Sequence, residues 1–418
     1  MEAPLIEVPD GTVTTPGGFL AGATDARIRD DYAQGRLDLA LLHSERPCAT
    51  AAVYTRNSFL GPPLRVTRAN LADAKAQAVI ANSGIANCLT GEPGVQDARE
   101  MARLAAEKLG LAPEDIAVAS TGVTGWRLPM DRIREAMRHI LPTTDGGDAF
   151  AHAIMTTDTV AKQAAVQFEH DGVLYSVGGC AKGSGMIHPN MATMLSFLTT
   201  DAAVEPRFLQ SVLSDVVEVS YNMMTIDGDT SPEDLVLLLA NGMAANGMAA
   251  NGAAANGPAA IDEQHDAAPV FRAAVEHVAI ALARKLARDG EGASKLIEVR
   301  VDGAASLADA RLAAKEVAGS SLVKTAVYGN DPNWGRILVA AGNSGAQIIE
   351  EKVSLSIQET EVYRNGEPLP FDEAAVSAAL DHPEVRFRID LGLGDATATA
   401  WGCDLTPDYV RINAEYTT

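Results

Sequence analysis

Short apolar runs alternate with stretches of helical periodicity through the first 190 residues. Ala78-Val79-Ile80-Ala81 is an unbroken apolar run closed by Asn82-Ser83-Gly84, which predicts a buried strand ending in a turn. Asp97 to Gly110 predicts a helix stopped by its glycine. Phe208, Val212 and Val216, joined by Leu209, Leu213 and Val217, share one face at helical spacing and predict an amphipathic helix. A second helix is expected from Phe271 through Val275, Val278, Leu282 and Leu286. Its last turn carries Lys285 and Arg288, and Gly290 follows, the charges and the stop a helix C-terminus favours.

Beyond Gly290 the period changes to two. Leu296–Val301 and Arg386–Leu391 alternate apolar and polar residues and predict strands. A domain change is therefore expected near residue 290, giving a larger unit of 1–290 and a smaller one of 291–418. Residues 241–260 stand apart as NGMAA-NGMAA-NGAAA-NGPAA, a period too short for a solenoid unit. Asn-Gly favours turns and alanine buries little surface, so a flexible surface insertion without chemistry is expected there.

At 418 residues and 47% hydrophobic, the chain can bury a sizeable core, and aromatics of only 5% make that core aliphatic. The net charge of -22 argues against nucleic acid or an anionic membrane surface as a partner. No apolar run approaches the roughly 18 residues of a membrane span. The opening MEAPLIEVPDGTV lacks the basic and apolar regions of a secretory signal, so a cytoplasmic location is expected. Cys48, Cys88, Cys180 and Cys403 are far apart and form no CxxC pair, which reads as buried free thiols.

Several motifs fail as sites. Gly183-Ser184-Gly185 meets His188 where a dinucleotide fingerprint needs its third glycine. Asp227-Gly228-Asp229-Thr230-Ser231 opens like a calcium loop, but Pro232 takes the turn-glycine position and Leu238 that of the closing glutamate. The eight histidines show no ligand spacing, so no metal site is expected. There is no GxSxG elbow.

What remains is a set of small-polar and glycine clusters: STGVTG at 120–125, IMTTDT at 154–159, KGSGMIHPNMATML at 182–195, DGEGASK at 289–295, YGNDPNWGR at 328–336 and DYVRINAEYTT at 408–418. Singly each is a turn, a helix cap or a helix stop. The central stretch adds a threonine behind a small residue, with a lysine and two glycines upstream, as expected where a chain cuts itself. A threonine freed at its N-terminus carries both a nucleophilic hydroxyl and an amine to serve as its base. Together, nearly end to end from Gly17-Gly18-Phe19 to Thr418, these motifs resemble the ornithine acetyltransferases, the glutamate N-acetyltransferase family of arginine biosynthesis.

The resemblance implies an α+β fold: an αββα sandwich around an N-terminal nucleophile, with a smaller C-terminal α/β domain completing the substrate site. It implies cleavage between Ala192 and Thr193, and Thr193 as the residue that then bears the acetyl group. Thr121 and Gly122 match the oxyanion-hole pair. Thr156, Lys182, Thr193, Glu291, Asn413 and Thr418 match substrate-contacting positions. Lys182 suits an α-carboxylate and Glu291 a substrate ammonium. The implied reaction is ping-pong: N2-acetylornithine gives its acetyl to Thr193, and glutamate takes it. No metal or organic cofactor is implied, and acetyl-CoA is the candidate co-substrate. The α and β fragments are expected to stay together, two of each.

The sequence departs from the family pattern at Ile85, at Cys88-Leu89, at Thr124 and Trp126, and at Pro232-Glu233. None falls on a position assigned above to catalysis. Three rivals follow from the same residues: an aminopeptidase or amidase using the same kind of nucleophile, a specialised-metabolism acetyltransferase, and an uncut homologue that only binds amino acids.

Overall fold

The computed structural model describes residues 4–188, 194–244 and 260–415. The Asn-Gly-Ala repeat from 245 to 259 lies outside them.

In chain order the first unit contains β1 (Ile6–Glu7), β2 (Phe19–Thr24), β3 (Leu39–Tyr54), α1 (Pro62–Asn70), β4 (Lys75–Asn82), α2 (Gly91–Leu109), β5 (Ile116–Ser120), α3 (Met130–Met137), α4 (Gly147–Ala153), β6 (Lys162–His170), β7 (Val173–Lys182), β8 (Leu195–Thr200), α5 (Pro206–Val219), β9 (Leu235–Ala240) and α6 (Ala268–Arg288). Its nine strands run in the order β1-β6-β7-β8-β9-β3-β4-β5, with β2 against β3.

The long strand β3 explains the layering. Leu39–Ser44 pairs with β2, Ala49–Tyr54 pairs with β9, and the register to β4 shifts between His43 and Cys48. The exposed Glu45-Arg46-Pro47 sits at that break, so β3 carries the sheet from one layer into the other. Strand alternation then sorts side chains into separate cores. Ala40, Leu42, Val79, Ala81, Ala117 and Ala119 meet Cys180, Phe197, Leu235, Leu237 and Leu239 between the two layers. Leu39, Leu41, Ile80, Ile116 and Val118 face the other way, onto Met101 of α2 and Ile133 of α3. Val177, Leu198, Val236 and Leu238 face α5 and α6. The result is the αββα sandwich.

The second unit contains β10 (Leu296–Ala304), α7 (Leu307–Gly319), α8 (Ser321–Tyr328), α9 (Trp334–Asn343), β11 (Ser354–Ile357), β12 (Thr360–Arg364), β13 (Glu367–Pro368), α10 (Glu373–Ala379), β14 (Glu384–Asp390), β15 (Ala396–Cys403) and α11 (Pro407–Glu415). Six strands form a sheet in the order β13-β12-β11-β14-β10-β15. The helix α6 joins the units, because its apolar residues enter one cluster that runs from Ala51 and Val53 to Trp401 and Cys403.

The expected elements appear, with one boundary displaced. The helix expected from Asp97 begins at Gly91, six residues earlier, and stops at Gly110 in the left-handed region. Both amphipathic helices are present as α5 and α6. All four cysteines are buried and free. Among the described residues no helix is long and apolar enough to cross a membrane, and no cluster of potential metal ligands occurs.

Candidate active site

The site forms where strands end. β5 ends at Ser120, so Thr121 and Gly122 begin the next loop, and β7 ends at Lys182. β8 begins at Leu195 and pairs in parallel with Leu235 of β9, so Met194 and Asp234 stand together; the Leu235 amide donates to the Met194 carbonyl at 2.9 Å. Glu291 follows the C-terminus of α6, and Asn413 comes in on α11.

These residues line one cavity of about 250 Å³: Thr121, Gly122, Thr156, Lys182, Glu291 and Asn413, with Met194 and Leu195 in its wall. Every described residue among the expected site positions therefore converges there. Ala192, Thr193 and Thr418 lie outside the described residues. A larger cavity of about 1250 Å³ sits along α6 and contains none of the expected residues.

Thr121 and Gly122, the expected oxyanion pair, are held by two loops that hydrogen-bond to each other. Thr121 N–H donates to Asn82, Val123 N–H to Gly84, and Ala86 N–H to Val123, each at 3.0 Å. Gly122 adopts φ 126°, and a Cβ there would lie 2.3 Å from the Gly84 carbonyl carbon, so only glycine fits. Its amide has no partner among the described residues and lies on the cavity wall.

Lys182 Nζ lies 3.1 Å from Thr121 Oγ1. An ammonium can only donate, so the threonine oxygen accepts and its own proton stays free for a second acceptor. Burial lowers the pKa of the Lys182 ammonium, with the carboxylates of Asp158, Asp234 and Glu291 opposing it.

Glu291 is fixed on three sides. Its amide donates to the Ser184 carbonyl at 2.8 Å, and Asn413 Nδ2 donates to its Oε2 at 2.7 Å. Gly185 packs so closely that a Cβ would lie 2.5 Å from the carboxylate. The segment upstream of the expected cut is held by Asp227, which accepts from the amides of Met186 at 2.7 Å and Ile187 at 2.8 Å. Burial lowers the pKa of His188 to about 4, with Lys315 adding to the shift, so its ring is neutral near pH 7.

Sequence reasoning missed several residues of this site. Asp227 was weighed as a calcium ligand and instead anchors a loop. Glu233 and Asp234 line the cavity although only 5% and 2% exposed. Among the described residues, both oxygens of Glu233 and Oδ2 of Asp234 lack hydrogen-bond partners. Burial pushes both carboxyls well above their usual pKa. Their signal was two acids directly before the apolar Leu235-Val236-Leu237-Leu238-Leu239. The departures at Cys88, Thr124, Pro232 and Glu233 thus touch the cavity, although none is an assigned catalytic position.

The arrangement offers two donors for an oxyanion, a buried cation and an anchored carboxylate around a small enclosed volume, which suits acyl transfer to and from a zwitterionic amino acid. A model of the ArgJ family matches residues 20–418. The arginine biosynthesis bifunctional protein ArgJ of Symbiobacterium thermophilum is 52% identical over 410 residues, covering 98% of this chain and 99% of its own. The protein of the same name from Dehalococcoides mccartyi is 47% identical over 418 residues, covering 100% of both. Among solved structures, the ornithine acetyltransferase of Mycobacterium tuberculosis complexed with ornithine is 38% identical, with a TM-score of 0.41, covering 46% of this chain and 100% of that one.

Proposed function

The chain belongs to the ArgJ family, and from that premise we propose that it is a self-cleaving acetyltransferase of arginine biosynthesis that moves acetyl from N2-acetylornithine to glutamate. The observation that carries this reading is the convergence of Thr121, Gly122, Thr156, Lys182, Glu291 and Asn413 on one cavity beside Met194.

Maturation comes first. The Thr193 hydroxyl attacks the Ala192 carbonyl, the acyl group shifts from nitrogen to oxygen, and water hydrolyses the ester to leave a free α-amine on Thr193. The ladder between Val177–Lys182 of β7 and Leu195–Thr200 of β8 spans the two sides of that bond. It keeps the fragments joined, in an assembly of two α and two β chains.

In the transfer, the Thr193 α-amine, with a reference pKa of about 7.7–8.0, accepts the hydroxyl proton as Oγ attacks the acetyl carbonyl. The oxyanion is held by the Thr121 O–H, left free by Lys182, and by the Gly122 N–H. The α-ammonium then protonates the departing amine, and ornithine leaves acetyl-Thr193. Glutamate enters, its neutral α-amine attacks the ester, and N-acetylglutamate leaves. Lys182 binds the α-carboxylate and Glu291 an ammonium in this scheme. The chemistry calls for neither metal nor organic cofactor, and acetyl-CoA is the candidate second donor.

The test is a transfer assay on the purified protein with N2-acetylornithine and glutamate. Acetylglutamate formation that needs both substrates supports the reading. Acetate release or peptide cleavage independent of glutamate would assign the protein to an amidase instead.

A further inference from the structure

Outside the lining of the 250 Å³ cavity, with Lys162 and Asp289 in the wall of the larger one along α6, lies a buried cluster of Asp158, Lys162 and Asp289. The side chains of Asp158 and Lys162 are wholly buried and that of Asp289 is 8% exposed. Lys162 Nζ on β6 reaches Asp158 Oδ1 at 2.5 Å and Asp289 Oδ2 at 2.6 Å. We propose that this triad is a positioning device that sets the spacing between Lys182 and Glu291, with Lys162 as its central positioning residue. The proposal rests on the amino-acid-transfer reading above.

Asp158 Oδ1 also accepts from the Gly183 amide at 2.7 Å, the residue directly after Lys182. Its Oδ2 accepts from the amide of Thr156 at 3.0 Å. Asp289 closes α6 and precedes Glu291 by two residues, and it accepts from both the amide and the hydroxyl of Thr159. One lysine therefore ties together the segments that carry Thr156, Lys182 and Glu291, which come from three parts of the chain. Although burial acts to raise its pKa, the ammonium groups of Lys162 and Lys182 hold the Asp158 carboxyl below its usual range. That charge in turn favours the charged form of Lys182.

Energetics point the same way. Two carboxylates and an ammonium out of water are costly, and a well-packed apolar trio of similar volume is often as stable or more so. A triad kept at that cost, where three substrate-facing segments are tied together, fits a geometric role. The two ends of an amino acid must be gripped at a fixed separation, and misplacement by about 1 Å can cost on the order of 10²-fold.

The experiment measures ornithine binding by calorimetry to the mature protein and to Asp289→Asn, Glu291→Gln and the double variant. Asp289→Asn keeps an acceptor for Thr159 and removes the ion pair. It is expected to weaken ornithine binding about tenfold with little change in Tm, and to add less than about twofold on top of Glu291→Gln, because both act through one group. Wild-type affinity in Asp289→Asn, or penalties that multiply in the double variant, would overturn the proposal. If Asp289→Asn does not fold, Asp158→Asn paired with Lys182→Met is read the same way. A wild-type protein that binds no ornithine would overturn the functional reading and the positioning role with it.

Discussion

Lys182 Nζ stands 3.1 Å from Thr121 Oγ1 and joins the end of β7 to the loop after β5. The contact fixes the direction of the threonine hydroxyl, since the lysine has only protons to give. Thr121→Val keeps the shape and removes the donor. Its kcat for acetyl transfer is expected to fall by about 10²–10³, with Tm nearly unchanged and Thr121→Ser largely active. A kcat for Thr121→Val within threefold of wild type would remove Thr121 from the oxyanion hole.

Gly122 and Gly84 approach so closely that a Cβ on Gly122 would overlap the Gly84 carbonyl. Gly122→Ala is expected to destabilise by about 1–3 kcal/mol from that overlap, on top of the strain of a φ of 126°, and to abolish transfer. Gly125 has φ 81° but open space around it, so Gly125→Ala is expected to cost only about 1–2 kcal/mol of backbone strain. Denaturant midpoints separate the two. Equal losses would mean that contact with Gly84 is not what requires glycine at 122.

Asn413 donates to Glu291 Oε2 from α11, in the second unit. Asn413→Ala leaves that carboxylate less firmly oriented, so KM for acetylornithine is expected to rise about tenfold while kcat changes little. Steady-state kinetics over a substrate series check this. A fall confined to kcat would place Asn413 in the chemical step instead.

Glu233 supplies a pH signature. An unfolded glutamate titrates near 4.3, whereas burial raises the folded carboxyl well above its usual range. Between those values the folded state holds a proton the unfolded state has lost, so stability falls as pH rises. Glu233→Gln removes that loss. It should match wild type near pH 4 and become the more stable protein above it, by up to about 1.4 kcal/mol per pH unit until the folded carboxyl ionises. Urea midpoints at pH 4, 6 and 8 measure the difference, and a gap constant across pH would contradict a neutral buried carboxyl.

Local patterns were legible in the sequence where a single element decided them. The apolar faces of α5 and α6 and the alternation in β10 and β14 depend only on neighbouring residues. The start of α2 was not, because Gly91-Glu92-Pro93-Gly94 reads as a turn. Proline is tolerated in a first helical turn, and Gly94 is there because a Cβ would lie 1.9 Å from Thr90 Oγ1. Nor was the passage of β3 between layers, since Ser44-Glu45-Arg46-Pro47 looks like the gap between two strands. Thr121, Gly122, Thr156, Lys182, Glu291 and Asn413, which line one cavity, could be grouped from the sequence because motif resemblance stands in for long-range proximity. The Asp158–Lys162–Asp289 triad had no such guide: Lys162 and Asp289 are 127 positions apart, and only folding shows that one ammonium serves both acids.

The central claim is that the chain activates itself by cutting before Thr193. Intact mass of the denatured, purified protein, with N-terminal sequencing of each fragment, tests it most directly. The account predicts two fragments, one ending at Ala192 and one beginning Thr193-Met194-Leu195, and a single uncut chain for Thr193→Ala. A wild-type protein of one 43.7 kDa chain, or a fragment starting at any other residue, would contradict it.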